Sequence, residues 1–93
     1  MNTDIINLDG FKLAKSRINR KVRETPLLKS QPLKKDLNPQ GSLSLKLENL
    51  QPTGSFKVRG AINTLHTLTQ AQKNKGLITA SGGNHGLAVA YAA

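Results

Sequence analysis

Lys57, in the stretch TGSFKVRGA (residues 53–61), stands between a Gly-Ser loop and the start of an apolar helical period. The positive end of a helix dipole disfavours an ammonium, and desolvation pushes the same way. An uncharged lysine amine is the nucleophile that forms a Schiff base with a carbonyl, so a lysine placed here is a candidate for covalent catalysis. On spacing alone, an exposed lysine in a first helical turn accounts for the residue better. A second loop, SGGNHG (81–86), also precedes an apolar run, LAVAYAA. Both loops follow a predicted strand and open a helix. That is the crevice where open α/β sheets bind ligands and where unpaired helix N–H groups meet anions. GSFKVRG lacks the Gly-Lys-Ser/Thr of a P-loop and GGNHG lacks the G-x-G-x-x-G spacing, which argues against ATPase and dinucleotide chemistry. Taken without further context, Ser81 reads as a helix cap, and Asn84 and His85 as polar groups that satisfy the loop.

The elements that would hold these loops follow from periodicity. Phe11, Ala14, Ile18 and Val22 recur at steps of three and four, predicting a first helix capped by Asp9 and ending before Thr25-Pro26. PLLKSQPLKKDLNPQG (26–41) carries three prolines and no sustained period, so it reads as an extended, turning connection. SLSLKL (42–47) alternates leucine with polar residues, as a strand with one buried face does. Val58, Ala61, Ile62, Leu65 and Leu68 mark one face of a helix, with Ser55 as its cap and Gly76 beyond its end. LITA (77–80) suits a buried parallel strand. The order helix, strand, helix, strand, helix predicts an α/β fold with parallel strands. Two such strands leave both faces and both edges open, and the sequence ends at Ala93 inside an apolar helical pattern. The expectation is therefore the first part of a longer α/β protein, residues 1–93 forming one truncated portion of its domain.

Composition narrows the function classes. The hydrophobic fraction is 37%, and the 8 glycines bring it to about 46%, inside the globular range. With no cysteine, disulfides and thiolate metal sites are excluded, and two separated histidines make a poor metal site. The net charge is +9, and most of the cations fall between Lys12 and Lys35 with Glu24 as the acid among them. Such a run raises nucleic-acid binding, yet Phe11, Phe56 and Tyr91 are too few for a base-stacking platform. A solvated basic face is the better reading. The N-terminus lacks an apolar signal region, and no stretch approaches the ~20 apolar residues of a membrane span. A cytoplasmic chain acting on neither membrane nor nucleic acid is expected.

LKLENLQPTGSFKVRGA (45–61) and SGGNHGLAVAYAA (81–93) resemble the two N-terminal signatures of the fold-type II pyridoxal-phosphate enzymes, specifically the threonine/serine dehydratase (ammonia-lyase) group. AKSRINRKVRETPLL (14–28) is similar to that group's first helix and its Arg-x-Thr-Pro-Leu turn. The resemblance covers roughly half the chain, in the family's order and separation. It implies a parallel-sheet fold of the tryptophan synthase beta type, here incomplete, and pyridoxal 5'-phosphate as cofactor. Lys57 then matches the lysine that bonds the cofactor and moves the substrate's Cα proton. Asn84 matches the asparagine facing the cofactor's phenolic oxygen, and Phe56 would pack beneath the ring. Ser81, Gly82, Gly83, Asn84 and His85 match the loop that grips the substrate carboxylate. Arg59 and His66 read as structural or solvated, and Glu48 stays open.

Departures from the pattern bear on the reaction. Sulfhydrylases and threonine synthases of this fold usually show Asn-Thr in place of Asn84-His85, and often Lys-Asp in place of Lys57-Val58. Serine racemases carry a serine base where this chain has Gly82. The implied reaction is β-elimination from L-threonine or L-serine, giving 2-oxobutanoate or pyruvate and ammonia, in family members that assemble as homo-oligomers. In the family, a later glycine-rich loop binds the cofactor phosphate and a later residue faces the pyridine nitrogen. Neither is found in these 93 residues, so the chain alone is expected to show little or no activity. A non-catalytic remnant of such an enzyme, and a small basic module built on residues 12–35, are the competing readings.

Overall fold

The computed structural model describes residues 6–93. Helix α1 (Leu8–Ile18) is capped by Asn7, whose Oδ1 accepts a hydrogen bond from the Gly10 amide at 2.8 Å. Asn7 lies just before the helix, in extended backbone, and reaches the third helical amide. Asp9, expected as the cap, instead sits in the first turn, where its charge opposes the helix dipole. The helix also ends earlier than its apolar period suggests. Arg20 has φ 64°, a left-handed conformation that stops helical propagation, and the Lys21 and Val22 amides turn back onto the Ile18 carbonyl at 2.9 and 3.3 Å. Only the C-terminal half of the stripe is used: Ile18 is buried while Phe11 stays exposed.

The stretch expected as an irregular connection holds two short elements. Strand β1 (Leu27–Lys29) pairs antiparallel with β2 (Ser44–Lys46) in the register Leu27↔Lys46, Leu28↔Leu45, Lys29↔Ser44. Bonds from Ser30 N to Leu43 O and from Leu47 N to Pro26 O, both 3.0 Å, extend the pairing at each end. Between them runs α2 (Gln31–Leu37), with Pro32 in the first turn, where a missing N–H leaves no helical bond unmade. The β2 strand thus falls inside the predicted 42–47 run, but its neighbour is antiparallel. Residues 77–80 form no strand, and Ile78 is 99% exposed. A strand of the buried parallel kind needs a ladder partner and cover on its faces, and among the described residues nothing pairs with 77–80.

After β2 a 3-10 turn (Glu48–Leu50) leads through a short loop to α3 (Lys57–Thr67). The apolar period continues past Thr67, yet the helix breaks there. Thr69 and Gln72 form a reciprocal capping box, Gln72 N to Thr69 Oγ1 at 3.2 Å and Thr69 N to Gln72 Oε1 at 2.8 Å, which starts the separate α4 (Gln70–Asn74). Gly76, at φ +82°, follows it. Helix α5 (Asn84–Ala92) closes the order.

Helix α3 is the centre of what core there is. Ile18, Val58, Ala61, Ile62 and Ala88 form one buried cluster, with Val22, Val89 and Ala92 against it, so α3 packs between α1 and α5. Leu27, Leu28, Leu37 and Ile78 remain largely exposed. The Cα radius of gyration is 16.5 Å, whereas a compact domain of this length has about 12 Å. These residues hold a short apolar seam rather than a closed core.

Candidate active site

The loop before α3 is shaped by local bonds. Gly54 N donates to Gln51 O at 2.8 Å, closing a turn with Pro52 at its second position, and Gly54 takes φ +78°, which only glycine adopts without strain. Ser55 is buried, and its hydroxyl accepts a long bond of 3.4 Å from the Lys57 amide. It therefore serves the helix start from one residue further back than a cap, since the cap position belongs to Phe56. Thr53 is buried as well, its hydroxyl without a partner. Lys57 is the first residue of α3 and is exposed. Its Nζ lies 5.6 Å from the Phe56 ring centroid, a cation–π contact worth about 0.5–1 kcal/mol at an exposed position. No hydrogen-bond acceptor or carboxylate holds this amine among the described residues.

A polar clamp ties the loop to the rest of the chain. The Arg59 guanidinium grips Glu48 with both arms, Nε on Oε1 and Nη2 on Oε2, the second at 3.0 Å. The Thr25 hydroxyl donates to the same carboxylate, as does Gln51 Nε2 at 3.2 Å. Gln51 in turn accepts from Arg23 N and donates to Arg23 O, both at 2.9 Å. The Arg59 guanidinium holds the Glu48 carboxyl down at about 2, helped by Thr25 and Gln51 and opposed by burial; the same pairing raises Arg59. Glu48, which the sequence left open, is the hub of this network, and Arg59 is structural. Charge type alone announced neither role, because the pairing spans a loop with no fixed spacing.

The second loop is held differently. The Gly83 amide donates to the Ser81 hydroxyl at 3.2 Å. A Cβ on Gly86 would stand 2.6 Å from the Ser81 carbonyl oxygen, so this glycine permits the loop to fold back on the first turn of α5. Gly83 occupies the cap position with no side-chain bond, leaving the first amides of α5 without intrahelical partners.

Phe56, Lys57, Thr64, Ile78, His85 and Val89 line an open cleft of about 510 Å³ between α3, the 77–79 segment and the start of α5. The structure thus brings Lys57, Phe56 and His85 onto one cleft. Ser81, Gly82, Gly83 and Asn84 lie beside it on an exposed loop, outside its lining. Phe56, expected to pack beneath the cofactor ring, stands on the cleft wall and is 60% exposed. Among the described residues no group of three metal-ligating side chains converges, and no helix is long and apolar enough to cross a membrane.

Comparison with known proteins places this arrangement. The catabolic L-threonine dehydratase TdcB of Staphylococcus aureus strain USA300 is 48% identical over 89 residues, which is 96% of this chain and 25% of that protein. The strain N315 protein is 47% identical over the same span. The solved structure of maize serine racemase superimposes with a TM-score of 0.78 at 37% identity, covering 90% of this chain and 26% of the racemase. The chain therefore spans about a quarter of the length of the relatives it matches. Residues 18–93 match the sequence profile of one family, and with its α/β order, small sheet and fold-type II neighbour the chain belongs to the pyridoxal-phosphate-dependent enzymes.

Proposed function

We propose that this chain supplies the lysine-bearing part of a pyridoxal-phosphate-dependent ammonia-lyase that eliminates water from L-threonine or L-serine. The observation that carries the reading is the Lys57 amine, bound by no acceptor, on the wall of a cleft that also receives His85. The cleft's volume lies in the range of small-molecule sites. Its walls, Phe56, Ile78 and Val89, suit an aromatic ring, and the amine suits an aldehyde. The residues present therefore fit the ring and aldehyde end of the cofactor. When bound, pyridoxal phosphate supplies the electron sink for the pair left at the substrate Cα.

The chain's own residues would divide the remaining work. Lys57 would hold the cofactor and, once freed, take the substrate's Cα proton. Asn84 would offer its amide to the ring oxygen, and Phe56 would pack against the ring. The amides and side chains of Ser81, Gly82, Gly83, Asn84 and His85 hold the substrate carboxylate, as a helix start does for an anion. Gly82 offers no group to exchange a proton on the second face, so elimination is favoured over racemisation. Loss of the β-hydroxyl and hydrolysis of the resulting enamine give 2-oxobutanoate or pyruvate with ammonia. The working form is a cytoplasmic homo-oligomer. These residues alone turn over little substrate, because no glycine-rich loop for the cofactor phosphate falls among them.

Borohydride reduction of the chain with limiting pyridoxal phosphate, followed by peptide mapping, tests the assignment. Label on Lys57 above the other lysines is expected. Label spread evenly, or concentrated elsewhere, removes the basis of the reading. Release of 2-oxobutanoate from threonine by the 93-residue chain would refute the inactivity. A second reading, a remnant with no catalytic partner, draws support from the unpaired 77–80 segment and the exposed Ile78. Selective labelling of Lys57 without turnover, unaltered by a complementing segment of a relative, would favour it.

A further inference from the structure

A second cleft, of about 420 Å³, shares only Leu65 with the first. Arg20 and Lys21 reach it from the turn after α1, His66 from α3, Lys73 from α4 and Tyr91 from α5. No carboxylate lines it, although Asp9, Glu24, Asp36 and Glu48 all lie within the described residues. Glu48 is committed to Arg59. Arg20 has a left-handed backbone at φ 64°, a conformation that non-glycine residues rarely adopt. Lys21 Nζ lies against His66 Nε2. Partial desolvation and then the fields of Lys21, Lys73 and Arg17 hold the His66 imidazole below its ordinary value. The fields of three cations, Lys21, Lys73 and Arg17, thus reach one imidazole, and no carboxylate lines the cleft around it. The floor of the cleft is apolar, formed by Ile62, Leu65 and Ala92.

We propose that this cleft binds a phosphate ester, its anionic group taken by Arg20, Lys21 and Lys73 and its organic body laid against Ile62, Leu65 and Tyr91. Like charges within a Debye length of about 8 Å repel one another, and a dianion turns that repulsion into attraction. It also makes protonated His66 a fourth donor. This site is independent of Lys57 and of the cofactor reading.

The test is an NMR titration of the 93-residue chain at fixed ionic strength with inorganic phosphate, pyrophosphate and phenyl phosphate. Saturable shifts confined to the residues lining this cleft are expected, with the His66 titration midpoint raised by the bound anion. Arg20→Gln and Lys73→Gln should each weaken pyrophosphate binding about two- to fivefold, and Lys35→Gln, an equal charge change on α2, should leave it unaltered. Phenyl phosphate should bind more tightly than phosphate. Shifts that never saturate, or equal weakening by Lys35→Gln, would reduce the site to diffuse attraction by the net charge. Equal affinity for phosphate and phenyl phosphate would overturn the organic-body assignment. Loss of binding in Lys57→Ala would move the anion to the other cleft and overturn the proposal.

Discussion

Replacing Glu48 with Gln keeps the size of the side chain and removes the charge on which Arg59, Thr25 and Gln51 converge. The folded carboxyl titrates at about 2, against 4.5 for an ordinary glutamate. At about 1.4 kcal/mol per unit, that difference corresponds to roughly 3.4 kcal/mol as an upper limit. The Arg59 side chain is 33% exposed, so water screens the pair, and about 1–2 kcal/mol is the expected net contribution. Because the folded value is depressed, the stabilisation is fully present above pH 4.5 and disappears as the pH falls through about 2.

Urea unfolding followed by circular dichroism, at pH 7 and at steps down to pH 2.5, reads this directly. The wild-type chain should lose stability across that interval, whereas Glu48→Gln should begin about 1–2 kcal/mol lower at pH 7 and slope less. Arg59→Lys keeps the charge but loses the two-armed grip, so it should recover only part of what Arg59→Ala loses. A double-mutant cycle between positions 48 and 59 should show coupling of about 1 kcal/mol or more. If Glu48→Gln matches wild type in both stability and slope, the carboxylate is not the hub described here, and the loop before Lys57 is held by something else.

Lys57→Ala should bring borohydride labelling down to the level of the other lysines while changing stability by less than about 0.5 kcal/mol, since the amine touches only the Phe56 ring; peptide mapping and urea unfolding separate the two effects. Gly86→Ala should cost about 1–3 kcal/mol and shift the amide resonances of residues 81–83, because its Cβ would meet the Ser81 carbonyl. Gly82→Ala, with nothing within 4 Å of its Cβ, should leave them in place. Thr69→Ala removes the capping box and should cost about 1 kcal/mol, seen as faster amide exchange across α4.

Features encoded within a few residues are legible in the sequence. The alternation of Leu with polar residues located β2, and the spacing of Val58, Ala61 and Ile62 located the buried face of α3. The Thr69–Gln72 pair is a capping-box signal visible in sequence, and Pro32 two residues after Ser30 marks a helix start. Each signal lies inside a longer pattern that points elsewhere, a continuing apolar period in one case and a proline-rich run in the other. Asn7 and Asp9 are both residue types that cap a helix, and only backbone geometry separates them. What no local pattern carries is pairing at a distance. The antiparallel partner of β2, the bond from Glu48 to Arg59, and the missing partner of 77–80 all depend on where other segments lie. Of the candidate site, the type and position of Lys57 were readable, as was the loop at 81–86. The joint exposure of Lys57, Phe56 and His85 on one cleft was not.

The two halves of the candidate site differ in what holds them. Lys57 sits near the end of a segment, 48–59, that is closed on itself by the Glu48–Arg59 grip and anchored to Arg23 through Gln51 and to Thr25 through Glu48. None of these bonds involves strand pairing, so the lysine's place is set before any wider sheet is considered. The segment from Leu77 to Gly83 has one turn bond, from Gly83 to Ser81, and no ladder. His85 reaches the cleft because α5 packs on α3 through Ala88, while the loop preceding it remains in solvent. A segment with few buried contacts and no paired backbone opens at low free energy. It follows that covering Ile78 and pairing 77–80 would chiefly order the loop at 81–83 and leave Lys57 where it is, so under the proposed function the Lys57 end of the cleft is built in and the other end is conditional on that cover.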